Sequence, residues 1–347
     1  PLSLITFAVE YQLFGDDPHI SHFINVLLYA ISIVVLFLLL KKLFHKQNIV
    51  IPFVITLLYA AHPTHTEVVA NIKSRDELLS FLFFLFSFHL TLEYLKNDSV
   101  VKISTALACF FLSLFSKEGA IVFLAVIPLT IYFFTDTSLK KNIITSSLFI
   151  VPAALFLALH YYVISHAPMP KITYSYLDNS LVAAPDISSR VATAVYMMGR
   201  YLMLLIYPHP LSYDYSFNEI PAMAWSNGKV FATLIIYGAL IYIALSRLKK
   251  KNIFSFCILF FLAGMSVVSN IFMLIGATMA DRFLFVPSLG ICIAITILLV
   301  KFTGAADPFQ GTVSFSGMIK KNMKFFSIVT VILSVFSFKT ITRNRDW

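Results

Sequence analysis

The chain has 347 residues, 59% of them hydrophobic and only 12% charged, with a mean hydropathy of +0.85 and a formal net charge of +9. A soluble domain carries about 45–50% apolar and about 25% charged residues. That excludes a water-soluble enzyme, a nucleic-acid-binding module and a disordered scaffold, and it defines an all-α polytopic membrane protein.

A helix needs about 20 mostly apolar residues to cross a bilayer. Residues 1–22 read as the end of an external loop. Apolar runs then follow at 23–44, 49–61, 78–95, 101–116, 120–135, 143–165, 229–246, 253–275, 283–301 and 325–341. About ten spans are therefore expected within a transmembrane domain covering 23–341. Between the sixth and seventh runs, 166–227 is rich in Pro, Tyr, Asp and Asn and reads as a long external loop. Within it, 190–207 reads as an interfacial helix that carries Arg190 and Arg200 toward headgroups. Cys109, Cys257 and Cys292 all lie inside apolar runs and read as small buried hydrophobes. With Pro1 outside and the spans alternating, inward loops hold 15 of the 26 basic residues against four acids, the expected cytoplasmic bias. The chain opens at Pro1 without a Met and ends at Asn344-Arg345-Asp346-Trp347, so it reads as an internal piece of a longer protein.

Charges near membrane depth are costly, about 2.5–3.5 kcal/mol each at a helix centre, so their positions carry information. Four clusters stand out, all on the expected external side. In His62-Pro63-Thr64-His65-Thr66-Glu67, two histidines and a carboxylate could ligate a divalent metal; a polar turn broken by Pro63 is the plainer reading. In Lys73-Ser74-Arg75-Asp76-Glu77, the acids suit the first turn of a helix, and Asp76 equally suits a reactive carboxylate. Ser116-Lys117-Glu118-Gly119 splits one apolar stretch; it is either a tight hairpin or a place where Lys117 meets an anionic headgroup. In Asp281-Arg282, the guanidinium either snorkels or binds a lipid-linked phosphate in bidentate fashion. Two cations and several acids converging on one face suit a lipid-phosphate substrate better than an ion path, because the spans themselves are nearly free of charge.

The run PLSLITFAVEYQLFGDDPHISHFINVLLYA resembles the segment that follows the first external loop in GT-C type multispan glycosyltransferases. AAHPTHTEVVANIKSRDELLSFLFFLFSF, SLFSKEGAIVFLAVIPL, MMGRYLMLLIYPHPLSYDYSFNEIP and SNIFMLIGATMADRFLFVPSLG narrow the resemblance to the TMTC-type (transmembrane and tetratricopeptide repeat-containing) protein O-mannosyltransferases and their bacterial relatives. RNRDW resembles the junction at 342–347 where that family's repeats begin.

The resemblance implies a GT-C-like bundle, a polyprenyl- or dolichyl-phosphate sugar donor and inverting transfer to a protein acceptor outside the cytoplasm. It implies that Asp76 is an active-site acid and that Lys117 and Arg282 hold the carrier phosphate. His62, His65, Glu67, Arg75, Glu118 and Asp214 would line the cavity, and the loop around Asp214 would cover it. The family's principal catalytic acid would lie upstream of Pro1; Asp16 and Asp17 do not match it. The compartment expected from the Ile-, Phe- and Lys-rich composition is a bacterial inner membrane with a periplasmic active face, and the endoplasmic reticulum membrane is the alternative. Competing readings are a non-catalytic membrane anchor for a repeat domain and transfer to a glycan or lipid acceptor. Expected partners are the lipid-linked sugar, a protein acceptor and the bilayer, with no nucleic acid; a divalent metal stays open.

Overall fold

The structure is a computed structural model that describes residues 1–166, 174–215, 219–305 and 315–347. Among the described residues the regular structure is entirely helical. The chain enters through α1 (Leu2–Phe14) and α2 (Pro18–Leu43), then α3 (Val50–Ala60) and the short α4 (Thr66–Ala70). The hairpin of α5 (Arg75–Asn97) and α6 (Val100–Ser116) precedes α7 (Phe123–Phe134), α8 (Leu139–Leu148) and α9 (Ile150–His166). After the long loop come α10 (Ile187–Ile206), α11 (Gly228–Ser246), α12 (Ile253–Met265), α13 (Ser288–Thr303), α14 (Phe315–Lys321) and α15 (Met323–Arg343).

Five helical stretches are long and apolar enough to cross a membrane: 18–43, 72–97, 139–166, 228–246 and 323–346. Several further helices are apolar but shorter. About ten continuous spans are therefore not confirmed: several of the expected runs, 49–61 and 101–116 among them, are held by the shorter helices. At 1.5 Å per residue, the 11 residues of α3 reach only about 16 Å, half a hydrocarbon core. The expected span at 143–165 falls within the stretch 139–166, where α8 meets α9 just before Pro152, which has no N–H to offer the carbonyl of Leu148. The one expected at 253–275 stops at Met265. Asn270 adopts φ 58, a left-handed conformation that Asn tolerates. Its side chain donates to the carbonyls of Ala277 (3.1 Å) and Thr278 (3.0 Å) and folds this stretch back on itself. α1 falls where loop was expected, and the helix expected at 190–207 is the 20-residue α10. In α10 the residues Ala194, Met197, Met198, Tyr201, Leu204 and Leu205 recur at helical spacing and are buried, so one face packs inward. Arg200 lies with its guanidinium 6.0 Å from the ring of Tyr215, at the loop rather than free among headgroups.

Lipid tails are as apolar as Leu, so helices in a bilayer associate through close packing and interhelical hydrogen bonds rather than through the hydrophobic effect. The α5–α6 hairpin shows both. Ser113 Oγ donates to the Ser80 carbonyl and Ser87 Oγ to the Ala106 carbonyl, each at 2.7 Å. Between α12 and α13, a Cβ on Gly290 would stand 2.9 Å from the carbonyl oxygen of Cys257, so only glycine permits this approach. One core gathers buried side chains of α2, α3, α5, α6, α7, α12 and α13; a second forms around α10, Tyr215 and Met279.

The two ends of the bundle differ. One carries Lys46–Asp136, Lys102–Glu93 and Lys141–Asp98 pairs. The other, where α5 begins, carries Asp76, Lys117 and Arg282 around a pocket. The lysine-rich loops expected to face inward thus collect away from the clusters singled out for chemistry.

Candidate functional site

The site is built on the connection from α3 to α5. Pro63 opens a tight turn after His62, and α4 follows for five residues. Asn71 then turns the chain into α5, its Oδ1 accepting from the Lys73 N–H at 3.1 Å. This short, stiff connection sets Glu67 and Asp76 at fixed heights on the same end of the bundle.

Glu67 is almost fully buried and grips Arg282 from 215 residues away. Its Oε2 accepts from the Arg282 backbone N–H at 2.7 Å and its Oε1 from Nη1 at 2.5 Å. Burial pushes the Glu67 carboxyl up from its ordinary range, and Arg282 opposes that rise. Burial works against the Arg282 guanidinium, but the Glu67 carboxylate outweighs it, so the cation is held firmly charged. Neighbouring Asp281 is buried too, accepts from Tyr215 Oη at 3.0 Å, and is pushed up to about 8 by burial and by Glu67. Tyr215 thereby pins the loop that carries Asp214 beside Arg282.

Lys117 stands at the end of α6 with an extended backbone that ends the helix. Its Nζ lies 2.7 Å from Asp76 Oδ2 and 3.3 Å from Glu77 Oε1. Burial disfavours the ammonium, but the carboxylates of Glu77 and Asp76 prevail and raise its pKa. The other oxygen of Asp76 accepts from the Glu77 N–H at 2.8 Å, as an acid in a first helical turn should.

Asp76, Lys117, Arg282 and Asp214 line one polar pocket of about 310 Å³, together with Lys73, Tyr213 and Asp178. Behind it runs a narrow groove walled by Phe81, Phe123, Phe283, Phe285 and Pro287, with Glu77 on its polar side. Lys117 and Arg282 line both spaces. A polar chamber and an apolar slot therefore meet at two cations.

Other expected residues fall elsewhere. His62 donates from Nε2 to the Leu205 carbonyl (3.2 Å), while Nδ1 lies 2.8 Å from Thr64 Oγ1. Both ring nitrogens are thus occupied in a buried neutral ring, and burial pushes its pKa down to about 4. His65 lies 3.0 Å from Tyr29 Oη and 2.8 Å from Ser288 Oγ, and burial lowers its pKa as well. With Glu67 committed to Arg282, these three do not form the metal set their spacing allowed; among the described residues no group of three or more His, Cys, Asp or Glu could hold a metal ion. Arg75 is not on the pocket wall. It is fully buried, 2.5 Å from Glu10 Oε2, with Nε donating to Asn25 Oδ1 at 3.0 Å and the guanidinium stacked 4.0 Å from the Phe7 ring. Glu118 is exposed beside Lys117 and outside the pocket lining. Ser216, next in the loop after Asp214 and Tyr215, lies outside the described residues.

Asp178 and Glu77 were not among the expected site residues. Glu77 was legible as Asp76's neighbour. Asp178 sits in the long loop, held there because Asn179 donates to Asn270 Oδ1 (3.0 Å) and to the Ile275 carbonyl (2.9 Å); no local pattern marks it.

Fold and site together define a multispan helical membrane protein with a charge-lined pocket at one end of its bundle. Residues 166–241 match the family model described as Protein O-mannosyl-transferase TMTC, DUF1736. Over its whole length the chain is 26% identical to Protein O-mannosyl-transferase F38B6.6 of Caenorhabditis elegans, covering 46% of that protein. It is equally 26% identical to tmtc2 of Xenopus laevis and to human TMTC3, covering 49% and 39% of them. The resemblance to TMTC-type proteins read from the motifs is therefore shown along the entire chain, which spans about half or less of the length of these relatives. No solved structure matches it.

Proposed function

We propose that this chain forms the membrane part of a glycosyltransferase that moves mannose, or a similar hexose, from a polyprenyl- or dolichyl-phosphate carrier to a Ser or Thr hydroxyl of a protein. The observation that carries the reading is the sharing of Lys117 and Arg282 between the polar pocket and the apolar groove. A lipid-linked sugar has that same division: a polar sugar, an anionic phosphate and an apolar tail. The acceptor oxygen forms a bond to the anomeric carbon from the face opposite the phosphate, and the bond from that carbon to the phosphate oxygen breaks, with inversion. The phosphate leaves on its carrier with the bonding electrons, stabilised by Lys117 and Arg282. The hydroxyl proton passes to a carboxylate, for which Asp76 is the candidate in this chain. The relatives' printed names support protein O-mannosyl transfer. They come from nematode, frog and human, and nothing in them supports a bacterial inner membrane; the reading is of a non-cytoplasmic active face.

A second reading is favoured by one observation: both cations are already neutralised, Lys117 by Asp76 and Glu77 and Arg282 by Glu67. In that reading the pairs are structural and the bundle is a membrane anchor. The full-length protein, supplied with labelled polyprenyl-phosphate mannose, separates the two. Asp76→Asn and Arg282→Ala should each lower transfer by about a hundredfold or more, the usual loss of a charge-stabilising group, with the unfolding temperature of Asp76→Asn unchanged. Unaltered transfer in a folded Asp76→Asn protein places the site wrongly. Absence of transfer across a panel of donor sugars favours the anchor.

A further inference from the structure

A second cavity lies away from this site. It lies at the opposite end, between the last turns of α2 and α5 and the turn after α7, and holds about 700 Å³. Asp76 begins α5 and Lys96 nearly ends it, 20 residues or about 30 Å further along, one hydrocarbon thickness. The two pockets therefore open toward opposite leaflets.

The walls of this cavity are of two kinds. Leu38, Leu92, Leu95 and Phe134 give it an apolar wall, while the exposed Lys41 and Lys96 and the half-buried Lys42 line it too. The cations are under-neutralised. Glu93 is the carboxylate shared by three ammoniums: Lys42 at 2.6 Å, Lys96 at 3.1 Å and Lys102 at 3.4 Å. Asp136 sits on the rim, highly exposed and paired with Lys46 at 3.5 Å. Lys41 is exposed and makes no ion pair among the described residues. An apolar recess rimmed by excess lysine at the end of spanning helices has the chemistry of a bound anionic lipid, with phosphate among ammoniums and chains against leucines. A soluble anion would leave the apolar wall unused.

We infer that the cavity between α2, α5 and the α7–α8 turn binds one anionic glycerophospholipid of the cytoplasmic leaflet, its phosphate at Lys41 and Lys96 and its acyl chains along Leu38, Leu92 and Phe134. This site is independent of the sugar-transfer reading.

The test is native mass spectrometry of the full-length protein, equilibrated with equal phosphatidylglycerol and phosphatidylcholine of matched chains. The wild type should retain phosphatidylglycerol about tenfold over phosphatidylcholine. Lys41→Glu with Lys96→Glu should remove that preference. Lys249→Glu with Lys250→Glu, an equal charge change outside the cavity lining, should leave it intact. The inference is overturned if the wild type shows no preference, or if both double variants lose it equally, which would mean a diffuse surface field. It is also overturned if glycerol phosphate displaces the lipid as well as phosphatidylglycerol does, because the apolar wall would then contribute nothing. The preference and the displacement are both read on the wild type, so the inference stays testable even if a variant fails to fold.

Discussion

Asp281 shows how a single residue can be charged in sequence and close to neutral in the fold. Its pKa rises to about 8 through burial and the nearby Glu67 carboxylate, against an ordinary value of 3.8. Between those values the native state keeps a proton that the unfolded chain has released, so stability falls as pH rises from about 4 to about 8. Asp281→Asn cannot release that proton. Its unfolding temperature should fall less than that of the wild type between pH 5.5 and pH 8.5, which thermal scans in one detergent would show; parallel curves would mean that Asp281 is ionised in the native state. At the same scale, Asp76 and Arg75 are adjacent in sequence and part company in space. Successive helical residues point about 100° apart, so one faces the pocket and the other the α1–α2 packing. Nothing in the string Arg75-Asp76 distinguishes them.

Between elements, the buried Arg75–Glu10 pair ties α1 to α5, with Asn25 of α2 as the third contact. Breaking such a pair by removing one partner costs about 3–5 kcal/mol, while replacing both by apolar residues is often close to neutral. Arg75→Met should therefore destabilise strongly, and Arg75→Met with Glu10→Leu should recover most of the loss in a double-mutant cycle. Recovery would establish a packing role; continued loss of transfer in the stable double variant would return Arg75 to the site. The α12–α13 contact offers a steric counterpart. Gly290→Val adds atoms against the Cys257 carbonyl and should cost about 1–3 kcal/mol of overpacking, whereas Ser87→Ala on α5 removes one interhelical hydrogen bond and should cost about 0.6 kcal/mol. Thermal unfolding in micelles would rank the two.

For the whole molecule, the opposed ends imply a topology. Glu118 marks the pocket end and the exposed Lys250 the lysine-rich end, where the neighbouring Lys251 donates to the Thr135 carbonyl at 2.9 Å. In sealed vesicles of one orientation, a membrane-impermeant maleimide should label only one of Glu118→Cys and Lys250→Cys. Cys257 and Cys292 are buried, and the half-buried Cys109 is replaced by Ser in both variants. Labelling of both would place the two ends on one side and undo the orientation drawn from lysine and arginine.

The membrane class, the helical character and the lysine-rich face were legible in the sequence. Each follows from composition or from local hydropathy, which no partner can alter. Asp76, Lys117 and Arg282 stood out as charges placed where charge is expensive, and they line one pocket. The helix ends were not legible, since hydropathy records that a run is apolar but not where a residue such as Asn270 turns its backbone. The partners were not legible either. Glu67 meets Arg282 across 215 residues, and Lys117 reaches Asp76 across 41. His62 and His65 have spacing that suits a metal, yet their ring nitrogens are spent on Leu205, Thr64, Tyr29 and Ser288. Sequence alone determined which side chains were costly to place in a membrane. What each one touches was settled by the folded bundle, because a hydrogen-bond partner is chosen by distance in space and not by distance along the chain.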